Sequence, residues 1–350
     1  MKEDSITFDQ MANSVLLTIC IPTFNRERSL KQCINSILSQ NPPLDVEILI
    51  CDNASSDGTE NMVSSFVEHN SNIRYIRNET NLGMDANFLK CLRNGRGQFL
   101  QLLSDDDFLD EGAISYIVNF LKKNQRLSTV ILNWDHFKLV DGEIKYHLNR
   151  YPIGEPLFFE NKGDFLSYVS MEGITFLSNK VFNSSIFRKI EGIEKFIGTI
   201  FIQSYIMLYC LEFDQRSAVI RRVMVHQGDV NRETSEMTMD FAISVFHDRQ
   251  YAILGYARNT LGYPGNVIND LFYRCIGSEW RSLLIIRGAY GIKPSLKLGR
   301  KFNEYYNSYK LIYAKGMIAS ILPVWLVRLL LLIYRSLRYV KGVLGNEFEQ

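Results

Sequence analysis

The chain has 350 residues, 46% hydrophobic and 22% charged, and its 39 basic and 38 acidic side chains leave a net charge of +1. This is the composition of a globular protein with room for one large domain or two smaller ones. The charge balance argues against a protein held to nucleic acid by bulk electrostatics.

Residues 16–22 form a continuous apolar run, which suits a strand buried on both faces. From Ser29 onward Leu30, Cys33, Ile34, Ile37 and Leu38 have helical spacing. A second strand is predicted over 46–51. The turn formers Asn53, Ser55, Ser56, Asp57 and Gly58 then precede a helix over 59–69. A short third strand over 73–76 leads to a helix over 85–93, ended by Asn94 and Gly95. A fourth strand covers 99–103, with an amphipathic helix over 111–123. Strands alternating with helices imply βαβ units and a parallel sheet.

The middle of the chain is less regular. Strands are predicted at 129–133 and 137–140, with a hairpin turn at Asp141-Gly142. A helix at 164–169, a strand at 174–177, a buried helix across 196–211 and a last strand at 218–226 follow. Beyond Asp240 the pattern is mostly helical. No repeat or low-complexity segment is visible.

Near the end, residues 316–327 are apolar except for Ser320, and 329–334 continue the run after Arg328. Pro323 and Arg328 interrupt it, whereas a spanning helix needs about 20 consecutive apolar residues. Arg328, Arg335, Arg338 and Lys341, beside Trp325 and Tyr334, suit a helix over 311–341 lying on an anionic membrane surface. The alternative is a helix packed on the rest of the chain. Six cysteines (20, 33, 51, 91, 210, 275) form no C-x-x-C pair, and most have apolar neighbours. They read as reduced core residues of a cytosolic protein. The polar, acidic first ten residues lack the apolar core of a signal peptide.

The fourth strand ends in Ser104-Asp105-Asp106-Asp107. Adjacent acids at the end of a buried strand repel one another unless a cation neutralises them. Hard cations, Mg²⁺ or Mn²⁺, favour such oxygens and take phosphate and water as their other ligands. Three more patterns end the first three strands: Pro22-Thr23-Phe24-Asn25-Arg26, Asp52-Asn53-Ala54-Ser55-Ser56-Asp57-Gly58-Thr59, and Asn78-Glu79-Thr80-Asn81-Leu82-Gly83. Singly, each has a plainer reading as a turn or a helix cap. On one rim of a parallel sheet they together form a site for a metal-bound nucleotide diphosphate.

This set, in this order over roughly residues 15–230, resembles the family 2 glycosyltransferases, and most of all their abequosyltransferase-like branch of bacterial polysaccharide enzymes. The resemblance implies an α/β GT-A fold: a mostly parallel sheet flanked by helices, with a helical C-terminal extension. With the mostly helical pattern beyond it, the chain divides into a tail (1–14), a GT-A domain (15–235, divided near 125 into nucleotide and acceptor halves) and a helical region (236–350) with a membrane-surface segment at 311–341. The resemblance implies an inverting transfer from a nucleotide-sugar donor to a glycan or polyprenyl-diphosphate-linked acceptor, with Mn²⁺ or Mg²⁺, at the inner face of the cell membrane.

Residue by residue, Pro22, Thr23 and Asn25 match the loop around the base, and Arg26 the base or the diphosphate. Asp52 matches the acid that hydrogen-bonds the base, with Asn53 and Asp57 on the same turn; Asn81 and Gly83 match the segment near nucleotide and sugar. The acids depart from the family's D-x-D-D form. Aligned on Phe108-Leu109, Ser104 stands at the first acid and Asp106 at the metal ligand; aligned on the acids, Asp105 and Asp107 take those places. Asp106 is the favoured primary ligand, with Asp107 as a further metal candidate and Asp105 toward ribose or sugar. His226, at the end of the last predicted strand, is a third metal candidate.

The family places its general base in a Glu-Asp pair at the start of a helix. Here that helix reads Gly198-Thr199-Ile200-Phe201-Ile202-Gln203, without a carboxylate. Glu172, Glu194 and Asp135 are the nearby candidates. Residues 227–239, with Arg232, suit a loop closing over the donor. The gap at Gln203 keeps open a non-catalytic partner subunit. A sugar-nucleotidyltransferase lacks support because residues 22–28 contain no glycine. A nicotinamide dehydrogenase lacks it because no G-x-G-x-x-G follows the first strand.

Overall fold

The computed structural model describes residues 15–140, 143–147, 150–228, 249–271, 274, 321–323, 325–330 and 332. The chain divides into two compact units, Met1–Glu233 with His247–Val267, and Thr234–Phe246 with Ile268–Gln350. The predicted N-terminal tail and hairpin turn lie outside the described residues. So do Arg232, nearly all of the predicted donor loop and most of the 311–341 helix.

The first unit is built on one mixed sheet. Its first strands are β1 (Leu17–Thr23), β2 (Val46–Asp52), β3 (Ile73–Arg77) and β4 (Phe99–Leu102). They run parallel, as the alternating pattern predicts. β1 and β2 are buried along their whole length, which is why their sequences are continuous rather than alternating. Between them α1 (Glu27–Leu38) buries Leu30, Cys33, Ile34 and Ile37, one face at helical spacing. The helices α2 (Thr59–His69) and α3 (Met84–Asn94) complete the crossovers, and α3 packs on β1 and β2.

Beyond β4 the sheet becomes mixed. The short β5 (Phe108–Leu109) and α4 (Ala113–Lys123) lead into β6 (Thr129–Val140), a single strand where two were predicted. It pairs antiparallel with β7 (Glu143–His147). β8 (Leu157–Phe159), α5 (Lys162–Tyr168) and α6 (Met171–Thr175) follow. The strand predicted over 174–177 is thus a short helix and the turn after it; Ser170 caps its start through the Gly173 N–H. β9 (Lys180–Asn183) inserts antiparallel between β4 and β6. Next come α7 (Ser184–Phe187), a 3₁₀ turn (Ile193–Phe196), α8 (Ile202–Cys210), β10 (Ser217–Gln227) and α9 (Gln250–Asn259). β10 runs parallel to β6, so β6 and β10 point the same way as β1 and β4. Thr23, Asp52 and His226 therefore stand at the carboxyl ends of β1, β2 and β10 on one rim, and Asp135, inside β6, lies opposite His226.

Candidate active site

The loops after β1 and β2 are clasped together. Asn25 has φ +52°, a left-handed backbone that asparagine tolerates better than most residues. Its N–H donates to Ser55 Oγ at 2.8 Å, and its Oδ1 accepts from the Ser56 N–H at 2.7 Å. Asp57 joins two helix starts, accepting from the Glu27 N–H at 3.1 Å and from Thr59 Oγ1 at 2.5 Å. Burial works against its charge, but these bonds outweigh it and hold the carboxyl below its usual range. Asp52 is fully buried. It accepts from Ser55 Oγ at 2.5 Å and Tyr75 Oη at 2.7 Å, with Arg77 Nε at 3.6 Å. Asp52 thus anchors its own loop.

The third loop rests on asparagines. Asn53 Nδ2 donates to Asn81 Oδ1 at 2.7 Å, and Asn53 Oδ1 accepts from Asn78 Nδ2 and the Leu82 N–H, both at 2.9 Å. Asn78 Nδ2 also donates to Asn87 Oδ1 at 3.0 Å. Gly83 turns the chain into α3 at φ +83°, where a side chain is strained. Two residues on, Asp85 accepts from the N–H groups of Gly198 (2.7 Å), Ile200 (2.8 Å) and Ile202 (3.3 Å). Asp85 thereby fastens the start of α8 to the rim.

The acids after β4 occupy three different environments. Asp105 Oδ2 accepts from Thr23 Oγ1 at 2.7 Å, and its Oδ1 lies 3.2 Å from Arg26 Nη1. Burial pushes its carboxyl up to about 7, against the pull of Arg26. Asp106 Oδ2 accepts from Arg26 Nη1 and Oδ1 from Ser104 Oγ, both at 2.5 Å. Asp107 Oδ2 accepts from Ser178 Oγ at 2.5 Å and Oδ1 from the Gly228 N–H at 3.0 Å. Burial, then the charge of Asp106, holds the Asp107 carboxyl well above its usual range.

Beside this cluster stands a histidine between two acids. His226 Nδ1 lies 2.6 Å from Asp135 Oδ1, and Nε2 lies 3.0 Å from Asp110 Oδ1. Burial opposes the imidazolium, but the two carboxylates raise its pKa above the ordinary value. Register shifts between β10 and β6 before this point bring His226 opposite Asp135. Both ring nitrogens of His226 thus face carboxylates.

The candidate bases separate clearly. Asp135 lies at the rim. Glu172 is 60% exposed and bridges to Arg150 at 2.6 Å. Glu194 is half exposed and pairs with Arg93 in the last turn of α3. Arg93 is eight residues along the helix from Asp85, about 12 Å from the rim end. Neither glutamate joins the acidic cluster. Gln203 is buried on α8 with Nε2 donating to Thr175 O at 2.8 Å. Among the described residues Gln203 Oε1 has no hydrogen-bond partner. Ser178, Gly228 and Asp85 are site residues that the sequence did not reveal.

Among the described residues, no three histidine, cysteine or acidic side chains converge to hold a metal ion. The oxygen donors still fit a hard cation of the Mg²⁺ type, which uses one or two carboxylates and completes its shell with phosphate and water. Of the two acids paired with Arg26, Asp106 is the more exposed, at 17% against 6% for Asp105.

The sequence model of glycosyl transferase family 2 matches residues 18–199, more than half of the chain. Among curated relatives, the abequosyltransferase RfbV of Salmonella typhimurium is 39% identical over 109 residues, 31% of this chain and 33% of that protein. The GalNAc(5)-diNAcBac-PP-undecaprenol beta-1,3-glucosyltransferase of Campylobacter jejuni is 34% identical over 118 residues, 33% of this chain and 37% of that protein. The matched stretch thus spans about a third of each of these two relatives. Among solved structures, S. aureus TarS 1-349 aligns with a TM-score of 0.57 at 14% identity, covering 92% of both chains. The mannosyltransferase PcManGT from Pyrobaculum calidifontis, solved with GDP-Man and Mn²⁺, aligns at 0.54 and 14% identity, covering 87% of this chain and 85% of that one. At such identities these likenesses show the fold, and the fold is GT-A.

Proposed function

Because this chain belongs to glycosyl transferase family 2, we propose that it transfers a sugar, with inversion, from a nucleotide-sugar donor to a glycan or lipid-linked acceptor in bacterial surface-polysaccharide synthesis. The observation that carries the reading is the joining of Thr23 and Arg26 to Asp105 and Asp106 at one rim. That rim supplies oxygen donors for a cation and a guanidinium for a diphosphate. TarS has been solved with UDP and with UDP-GlcNAc, which supports a nucleotide-sugar ligand for this fold. The Campylobacter relative's name specifies a PP-undecaprenol acceptor, which supports a lipid-linked one here.

In this reading Asp106 is the primary holder of Mn²⁺ or Mg²⁺. Such a cation, when bound, stabilises negative charge on the departing diphosphate. Asp105 is fixed by Thr23 toward the sugar or ribose. Inversion needs an acceptor hydroxyl on the face opposite the diphosphate and a group to take its proton. Gln203 has no ionisable group, so Asp135, the rim acid beside His226, is the remaining candidate base. The cationic, aromatic stretch 311–341 would hold the protein at an anionic membrane surface near such an acceptor. Among the described residues no helix is long and apolar enough to cross a membrane.

The test is a thermal-shift panel of nucleotide sugars with and without Mn²⁺, followed by donor turnover of Asp106→Ala. A stabilising donor and a loss of turnover of about a hundredfold or more are expected; full activity in Asp106→Ala would remove the metal assignment. Deleting 316–350 should move the protein from the membrane pellet to the soluble fraction, and an unchanged distribution would discard the membrane reading. Gln203 favours a second reading, a weak or inactive GT-A partner subunit. Donor binding without any sugar release would support it.

A further inference from the structure

Every carboxylate oxygen of Asp105 and Asp106 carries a donor from the chain itself. Thr23 Oγ1 and Ser104 Oγ hold one oxygen of each, and Arg26 Nη1 reaches the other two at 3.2 Å and 2.5 Å. The three donors differ in how easily they leave. Thr23 and Ser104 are short side chains with little reach, and Thr23 is buried in β1. Arg26 is a long side chain, 43% exposed, on the solvent side of acids that are 6% and 17% exposed. Its backbone is delivered by the left-handed Asn25, itself pinned by Ser55 and Ser56.

A cation that takes Asp106 Oδ2 must take it from Arg26, and two cations on one carboxylate oxygen repel each other. A diphosphate offers the guanidinium a replacement partner of matching fork geometry. We propose that Arg26 is a displaceable counter-cation: it neutralises Asp106 in the resting protein, yields Oδ2 to a divalent cation, and turns onto the donor's diphosphate. This rests on the metal-dependent reading above and deepens it. Its consequence is coupling. The cation alone competes with Arg26, whereas cation and nucleotide together give Arg26 somewhere to go, so each strengthens the binding of the other.

The experiment measures Mn²⁺ binding by the EPR signal of free Mn²⁺, with and without UDP. It uses the full chain, Arg26→Gln, Arg26→Met and the charge-preserving Arg26→Lys, each checked for cooperative unfolding. Without UDP, the Gln and Met variants should bind Mn²⁺ at least about fivefold tighter than the parent, with Lys near the parent. Saturating UDP should then strengthen Mn²⁺ binding to the parent by a larger factor than in the neutral variants. Equal, measurable Mn²⁺ binding by the parent and both neutral variants would overturn the proposal while leaving the metal reading intact. Mn²⁺ bound by none of them, with or without UDP, would overturn both.

Discussion

Ser178 Oγ donates to Asp107 Oδ2 at 2.5 Å, tying the turn before β9 to the acid cluster after β4. The same Ser178 oxygen accepts from the Ser104 N–H at 2.8 Å. Asp107 thus faces the second half of the sheet, through Ser178 and Gly228, while Asp105 faces the first, through Thr23. The triplet spans the junction between the two halves and is not a set of equivalent ligands. Ser178→Ala removes one of two donors from a buried carboxylate. The expected result is a loss of about 1.5–3 kcal/mol of stability together with a higher half-saturating Mn²⁺ concentration. Thermal melts and a Mn²⁺ titration of turnover check the two effects. Unchanged Mn²⁺ dependence would mean that Asp107 plays no part at the metal.

Asp85→Ala takes a shared acceptor from the N–H groups of Gly198, Ile200 and Ile202. Those groups sit in a turn whose backbone is costly, with Ile200 at φ +68°. Without the carboxylate the turn has no evident reason to keep that shape. A loss of about 2–3 kcal/mol is expected, and a smaller one for Asp85→Asn, which keeps one acceptor oxygen. Urea unfolding should show a lower midpoint with an unchanged slope.

Gln203→Glu would restore a carboxylate to the family's usual base position. The geometry predicts harm instead. Gln203 Nε2 donates to Thr175 O, and an ionised glutamate would set oxygen against oxygen in a buried place. Destabilisation of about 2–4 kcal/mol at neutral pH is expected, shrinking in acid as the new carboxyl protonates, with no gain in donor turnover. A rise in kcat would show that the start of α8 is the base position after all.

What was legible in the sequence followed from local signals. β1 and β2 follow from unbroken apolar runs and α1 from its spacing, and the rim motifs lie directly after the strands that carry them. The 174–177 run points to a strand by sequence, yet four apolar-rich residues fit a strand and a helical turn equally well. β9 carries no apolar signal at its ends, because Lys180 and Asn183 are polar although both are buried. Ser178, Gly228 and Asp85 escaped for another reason: their bonds span 71, 121 and 113 residues, and no local pattern encodes such a pairing.

Lys180 gives the last test, a pH dependence. Its ammonium is fully buried on β9, donating to Gly173 O at 3.2 Å, to Asn179 Oδ1 at 2.9 Å and to Phe176 O. None of these acceptors is a carboxylate, and burial holds the amine well below its ordinary value. An unfolded lysine titrates near 10.4. Between the folded and unfolded values the unfolded chain binds more protons, so this group makes stability rise with pH across that window. Lys180→Met lacks the titration and keeps most of the volume. Buried thiols and phenols such as Cys33 and Tyr75 titrate in the opposite sense, but they do so in both proteins and cancel in the difference. The melting temperature of the parent minus that of Lys180→Met should therefore climb from pH 7 toward pH 10. A flat difference would mean that the carbonyl cage solvates the ammonium as well as water does.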